Sequence, residues 1–368
     1  MPSCLSASNG NSHNIKEINV NSALYERYQQ AKTENKAKYA RDLAAYLNVS
    51  EAQLLHSRVG HDKAVRLNVD APALLTELAT VGKVKAITRN EYVVHEQVGR
   101  YDNATFSPHG GLILNPRALD LRMFFSHWDA IFALTEDSKH GERHSIQFFD
   151  KQGDALHKVY TTDETDMAAW QALIEKYATQ DNPELIHEAA APFTSQPVSE
   201  ELKQQLEQEW RNMTDVHQFF VLLKKNNLSR QQVFAAVSDD LAWKVPNDSF
   251  NQLINTAFKD QNEIMIFVGN RGCVQIFTGE IKKIMPYQSE GSDLKWLNIF
   301  NPDFTLHMIE NGIAECWVTR KPTQDGHVTS LEVFDNQGNQ IAQMYGQRTE
   351  GTPEQEQWRQ QVTALPRI

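Results

Sequence analysis

Cysteine is almost missing. Cys4, Cys273 and Cys316 are the only three in 368 residues, and their spacing matches no metal-ligand pattern. An odd, sparse count is not that of a small disulfide-built secreted scaffold. The opening segment, MPSCLSASNGNSHNIKE, is polar and has no apolar signal-peptide core. Together these features point to a cytoplasmic protein. No run approaches the roughly 18 apolar residues that a membrane span requires. A Walker loop, a nucleophile elbow, an HExxH pair and a nicotinamide GxGxxG loop are also lacking. Any use of NAD(P)H would therefore need a nonstandard site or a separate reductase. Positive charge is in deficit, with a formal net charge of −11, which argues against a nonspecific nucleic-acid binder. What the chain does have is apolar material for sizeable cores: 40% hydrophobic and 9% aromatic residues. Its length suggests about two domains.

The chain repeats itself. Residues 90–99, NEYVVHEQVG, align without gaps on 270–279, NRGCVQIFTG, placing Val94 on Val274. Leu114-Asn115-Pro116 pairs with Phe300-Asn301-Pro302, and SIQFFDKQGDALHKVY (145–160) pairs with SLEVFDNQGNQIAQMY (330–345). LNVSEAQLL (47–55) matches NNLSRQQVF (226–234), and Trp170 and Trp358 close the two halves. Four blocks in one order define repeats at 22–180 and 201–365, joined by a Pro- and Ala-bearing linker at 181–200.

Each half reads as helices, then strands, then a closing helix. Ser50/Gln53 and Ser229/Gln232 have the spacing of capping boxes, so a helix is expected to start at each. The β-branched and aromatic runs AITRNEYVVHEQV, NEIMIFVG and GCVQIFTGEI read as strands, and each Phe-Asp-x-Gln-Gly reads as a hairpin turn. The expected class is α+β, two homologous repeats, each with a large, mainly antiparallel sheet and flanking helices.

Differences between the copies mark candidate functional positions. His217 falls opposite Lys38, Arg230 opposite Glu51 and Arg348 opposite Asp163, while Arg320-Lys321 faces roughly Leu134-Thr135. Cations gathered in one half of an acidic chain suggest a local anion site. Within MTDVHQFF (213–220), Thr214 or Asp215 can cap a helix and put His217 in its first turn, where the helix dipole favours a neutral imidazole. That form can donate a lone pair to a metal. A packed or surface histidine would fit this octapeptide as well. His95, opposite Gln275, reads as structural or as a secondary contact. His140 and His144 read as a surface turn. Cys273 and Cys316 read as buried and inert. SRQQVFAAVSDD has one basic residue before two acids, which is a poor DNA-recognition helix.

The motifs RNEYVVHEQVG, LILNPRALDLR, MTDVHQFFVLLK, NEIMIFVGNRGCVQIFTG, WLNIFNP, WVTRKPTQDG and IAQMYGQRTEG resemble the HemS/ChuS/HmuS/PhuS family of bacterial cytoplasmic heme-binding and heme-degrading proteins. The resemblance runs from about Tyr28 to Trp358. It implies a heme cleft between the halves, with His217 of Asp-Val-His as the axial iron ligand and Arg122 of Ala-Leu-Asp-Leu-Arg on the distal side. It further implies Arg230, Lys321, Tyr345 and Arg348 at the heme propionates, and Phe124 and Phe220 as pocket aromatics. Arg122, whose approximate second-half counterpart is Met308, and His217 would serve any catalysis. The implied activity is heme-oxygenase-like ring opening that consumes electrons from an external donor. The alternative is a carrier that stores heme or hands it to a separate oxygenase. Heme is the expected ligand or substrate, and a reductase and an inner-membrane heme importer are the implied protein partners.

Overall fold

A computed structural model describes residues 11–139, 141–190, 193–288, 290–349 and 351–368, with side chains from residue 21 on. Cys4 and His140 lie outside the described residues. The helices are α1 (Asn11–Thr33), α2 (Ala40–Leu47), α3 (Glu51–His56), α4 (Ala71–Glu77), α5 (Met167–Tyr177), α6 (Glu200–Arg211), α7 (Gln218–Asn226), α8 (Arg230–Ala236), α9 (Ser249–Asp260) and α10 (Glu356–Thr363). Among the described residues no helix is long and apolar enough to cross a membrane. Strands of the first repeat are β1 (Ala64–Leu67), β2 (Gly82–Arg89), β3 (Val93–Gly99), β4 (Ala104–Phe106), β5 (Gly111–Leu114), β6 (Asp120–Met123), β7 (Trp128–Ser138), β8 (Gly141–Asp150), β9 (Ala155–Thr165) and β10 (Ala178–Thr179). The second repeat supplies β11 (Ala242–Val245), β12 (Ile264–Gly269), β13 (Cys273–Gly279), β14 (Ile284–Gln288), β15 (Lys295–Phe300), β16 (Phe304–Ile309), β17 (Glu315–Thr323), β18 (Gly326–Phe334) and β19 (Gln340–Gly346).

Both capping boxes form. The Ser50 hydroxyl accepts from Gln53 N and the Gln53 side chain accepts from Ser50 N; Ser229 and Gln232 repeat the arrangement. Each box satisfies two backbone donors that a helix start leaves orphaned. Both Phe-Asp-x-Gln-Gly segments are turns between adjacent strands. In each, one aspartate carboxylate, Asp150 or Asp335, accepts two turn amides.

The chain divides into two compact units. The first holds the chain up to Gly82 together with His127–Ala190. Its strands run in the antiparallel order β10-β1-β7-β8-β9. The second holds Lys83–Ser126 and the chain from residue 193 on. It contains a nine-stranded sheet, β11-β17-β18-β19-β12-β13-β6-β5-β4, and the run β2-β3-β16-β15-β14. Here the repeats exchange strands. The first repeat's β4–β6 meander pairs through β6 with β13 of the second, and the second repeat's β14–β16 meander pairs through β16 with β3 of the first.

A single core fills the space between these two layers of the second unit. It joins Ile264, Ile266, Val268 and Phe277 to Val93, Leu306 and Met308, with Trp358 of α10 and Phe250 of α9. A second cluster lies on the opposite face of the nine-stranded sheet. There α6, α7 and α8 pack Leu206, Trp210, Phe219 and Phe234 against Trp317 and Phe334.

Candidate functional site

Strand register decides which side chains share a face. Tyr345 lies opposite Met265, Met265 opposite Thr278, and Val274 opposite Arg122. A step of two along a strand returns to the same face. Arg122 and Tyr345 therefore point to one side of the nine-stranded sheet. Ser330 lies opposite both Tyr345 and Thr319, so Lys321, Glu332 and Gln343 also lie on that side. This is the face partly covered by α6–α8.

His217 stands at the N-terminus of α7, its side chain 82% exposed. It is not a packed core histidine. Asp215 organises this corner: one carboxylate oxygen accepts from His217 N at 2.7 Å and meets His217 Nδ1 at 2.7 Å. The backbone bond, then the ring contact and the nearby Arg348 charge, hold the Asp215 carboxyl below its ordinary range. With Nδ1–H donating to the carboxylate, Nε2 carries the free lone pair. Phe220 and Val221 follow, 59% and 66% exposed, an apolar surface without a cover among the described residues.

Behind them sits a buried charge cluster. The Arg230 guanidinium lies 5.1 Å from the Phe219 ring and 5.2 Å from the Phe220 ring, and its Nε donates to Glu332 at 2.9 Å. Lys321, 2% exposed, donates to the other Glu332 oxygen at 2.8 Å and lies 4.9 Å from the Phe219 ring. Glu332 is fully buried and also accepts from Gln340 at 2.9 Å. Burial alone would raise its carboxyl; the two cations overcome that and push it down to about 2. Lys321 is lowered too, because burial, aided by repulsion from Arg230, outweighs a single carboxylate. The two directions are compatible, since the acid has two counter-charges and the ammonium has one plus a neighbouring cation. Burial and Glu332 raise the Tyr345 phenol, which packs 5.0 Å from Phe267.

The cluster leaves donors unused. Arg230 Nη1 and Arg348 Nη1 are buried without a hydrogen-bond partner among the described residues. Such groups are costly unless something accepts from them. On β6, Arg122 is tied to Asp120 and to the Leu121 carbonyl at 3.1 Å, and Phe124 beyond it is 45% exposed.

Other candidates fall away from this face. His95 is buried, with Nδ1 3.1 Å from the Gln275 carbonyl and its ring against Phe304; burial lowers it to about 3. His144 meets Thr135 at 2.9 Å on the β7–β8 hairpin. Cys273 and Cys316 are buried thiols, each raised to about 12 chiefly by desolvation. Register also corrects two pairings. Val94 stands opposite His307, so the counterpart of Arg122 is His307, not Met308. Leu134 stands opposite Ser145 as Thr319 does opposite Ser330, so the counterpart of Lys321 is Glu136, not Thr135. The charge contrast between copies is therefore sharper than the alignment implied. Sequence reasoning missed Glu332 because its shared-face placement beside Lys321 is visible only once strands are paired.

A family model described as "Haemin-degrading HemS.ChuX domain" matches residues 48–177 and again 227–365. The chain belongs to the HemS/ChuX family. It is 60% identical to the hemin transport protein HmuS of Yersinia pestis over 347 residues, covering 94% of this chain and 98% of that protein. The Escherichia coli O157:H7 heme-degrading enzyme ChuS has 54% identity and a TM-score of 0.87, over 94% of this chain and 99% of the other. The heme-bound structure of PhuS, a heme-binding protein from Pseudomonas aeruginosa, has 38% identity and a TM-score of 0.88, over 95% and 99%. The double match bears out the two repeats, and ChuS and PhuS share the fold almost end to end.

Proposed function

We propose that this chain binds heme on the exposed face beside α7 and opens the porphyrin ring with dioxygen to release iron, with electrons supplied by an external reductase. The observation that carries the reading is the pair of orphaned buried guanidinium donors beside an exposed imidazole and an open aromatic surface. Heme is a flat apolar ligand with one metal and two carboxylates, and it calls for that combination.

His217 Nε2 is the axial ligand. Phe220 and Phe124 supply apolar walls. Arg230 and Arg348 donate to the propionates, Tyr345 adds a hydroxyl, and Lys321 adds positive charge from beneath Phe219. Arg122 presents donors on the far side of the iron, where its always-charged fork orients polar groups. The protein's part in ring opening is ligation, polarity and access; heme itself supplies the oxygen chemistry. The exposure of His217 favours a second reading, in which the chain hands intact heme to another protein.

Two measurements test this. His217→Ala should shift the Soret band and weaken heme binding by about 10–100-fold, the magnitude by which lesser changes around metal sites act. An unchanged spectrum and affinity would remove His217 as the ligand. The heme complex mixed with a reductase under air should yield an open tetrapyrrole by mass spectrometry. Recovery of intact heme would support the carrier.

A further inference from the structure

We propose that Asp215 is a positioning residue that sets the donor strength of His217 toward heme iron, an inference that rests on the reading of His217 as axial ligand. A single oxygen of Asp215 holds both the backbone N–H and the ring Nδ1 of His217, each at 2.7 Å. This double hold fixes the ring's rotation relative to the α7 N-terminus. It also fixes the tautomer, because the proton must sit on Nδ1 and the lone pair on Nε2. A carboxylate partner draws the Nδ1 proton more strongly than a neutral carbonyl would. Electron density moves through the ring to Nε2, and the iron bound there is a poorer electron acceptor.

The pair is local in sequence, so it is set before any ligand arrives. Both side chains are exposed, 82% for His217 and 57% for Asp215, and neither is pinned by core packing. The hydrogen bonds alone hold the ring.

The test compares Asp215→Asn, Asp215→Ala and His217→Ala in the full chain, each loaded with heme. Asn keeps an acceptor for the His217 backbone N–H while removing the charge. Expected for Asp215→Asn are a lower iron–histidine stretching frequency in the ferrous resonance Raman spectrum and a higher ferric/ferrous reduction potential. Heme affinity should fall by about tenfold or more, within the range for outer partners of metal ligands. Asp215→Ala should lower the frequency at least as far. A stretch and potential unchanged in both Asp215 variants, with the iron–histidine line lost in His217→Ala, would overturn this inference and leave the axial assignment standing. A line that survives in His217→Ala would overturn both.

Discussion

Glu332→Gln is the substitution that tests the buried cluster hardest. The carboxyl sits at about 2 in the folded chain against an ordinary 4.5. The depressed carboxyl contributes stability at neutral pH, where it is ionised. Removing one partner of a buried ion pair typically costs about 3–5 kcal/mol. Lys321, already lowered by burial, limits the loss by shedding its proton. The sign follows from a depressed acid. The stabilisation is whole above pH 4.5 and is lost as pH falls toward 2. Urea unfolding at neutral pH should therefore show about 3 kcal/mol less stability in the variant, and its acid limb between pH 4.5 and 2 should be flatter than the parent's. With the carboxylate gone, Arg230 lacks its counter-charge. Heme should then raise the melting temperature of the variant more than that of the parent, and heme dimethyl ester should not. A cost below about 1 kcal/mol with an unchanged acid limb would refute the reasoning.

Three further outcomes are expected. Arg122→Ala should retain most heme affinity but change the ferric heme spectrum and slow heme loss under air with a fixed electron donor; normal turnover would return Arg122 to a structural role. Charge-neutral replacement of Arg230 or Arg348 should weaken heme far more than its dimethyl ester, each contact being worth about 1.5–3 kcal/mol when desolvated, and equal responses would mean that the cations do not read carboxylates. Ser229→Ala should cost about 1 kcal/mol in thermal or urea unfolding through loss of the α8 cap, with Ser50→Ala costing a similar amount at α3; no loss in either would mean that the boxes leave stability unchanged.

Much of the fold was legible because its signals are local. Ser50/Gln53 and Ser229/Gln232 needed only three-residue spacing, and the Asp150 and Asp335 turns needed only five residues. His217 and Asp215, two positions apart, were also readable as a unit, although Asp215 proved to grip the ring as well as the backbone. Pairings between distant strands were not legible. The alignment placed Arg122 opposite Met308, one residue from His307, and one residue in a strand is the difference between its two faces. Glu332 was passed over for the same reason. Its neighbours Arg230 and Lys321 come from α8 and β17, and no spacing in the sequence joins them.

The traded meanders bear on how such a chain arose. A solitary ancestral repeat would leave the β13-type edge bare, and exposed edges invite pairing with another copy. Two identical chains that swapped their three-strand segments would cover both edges, as domain-swapped dimers do. Within one chain the exchange is an intramolecular pairing, independent of protein concentration. One chain also frees the two repeats from symmetry. Arg122 stands in one copy where the other has His307, and Arg230, Lys321 and Arg348 stand where the first copy has Glu51, Glu136 and Asp163. A homodimer must carry every change twice; in a single chain a change in one repeat need not be matched in the other.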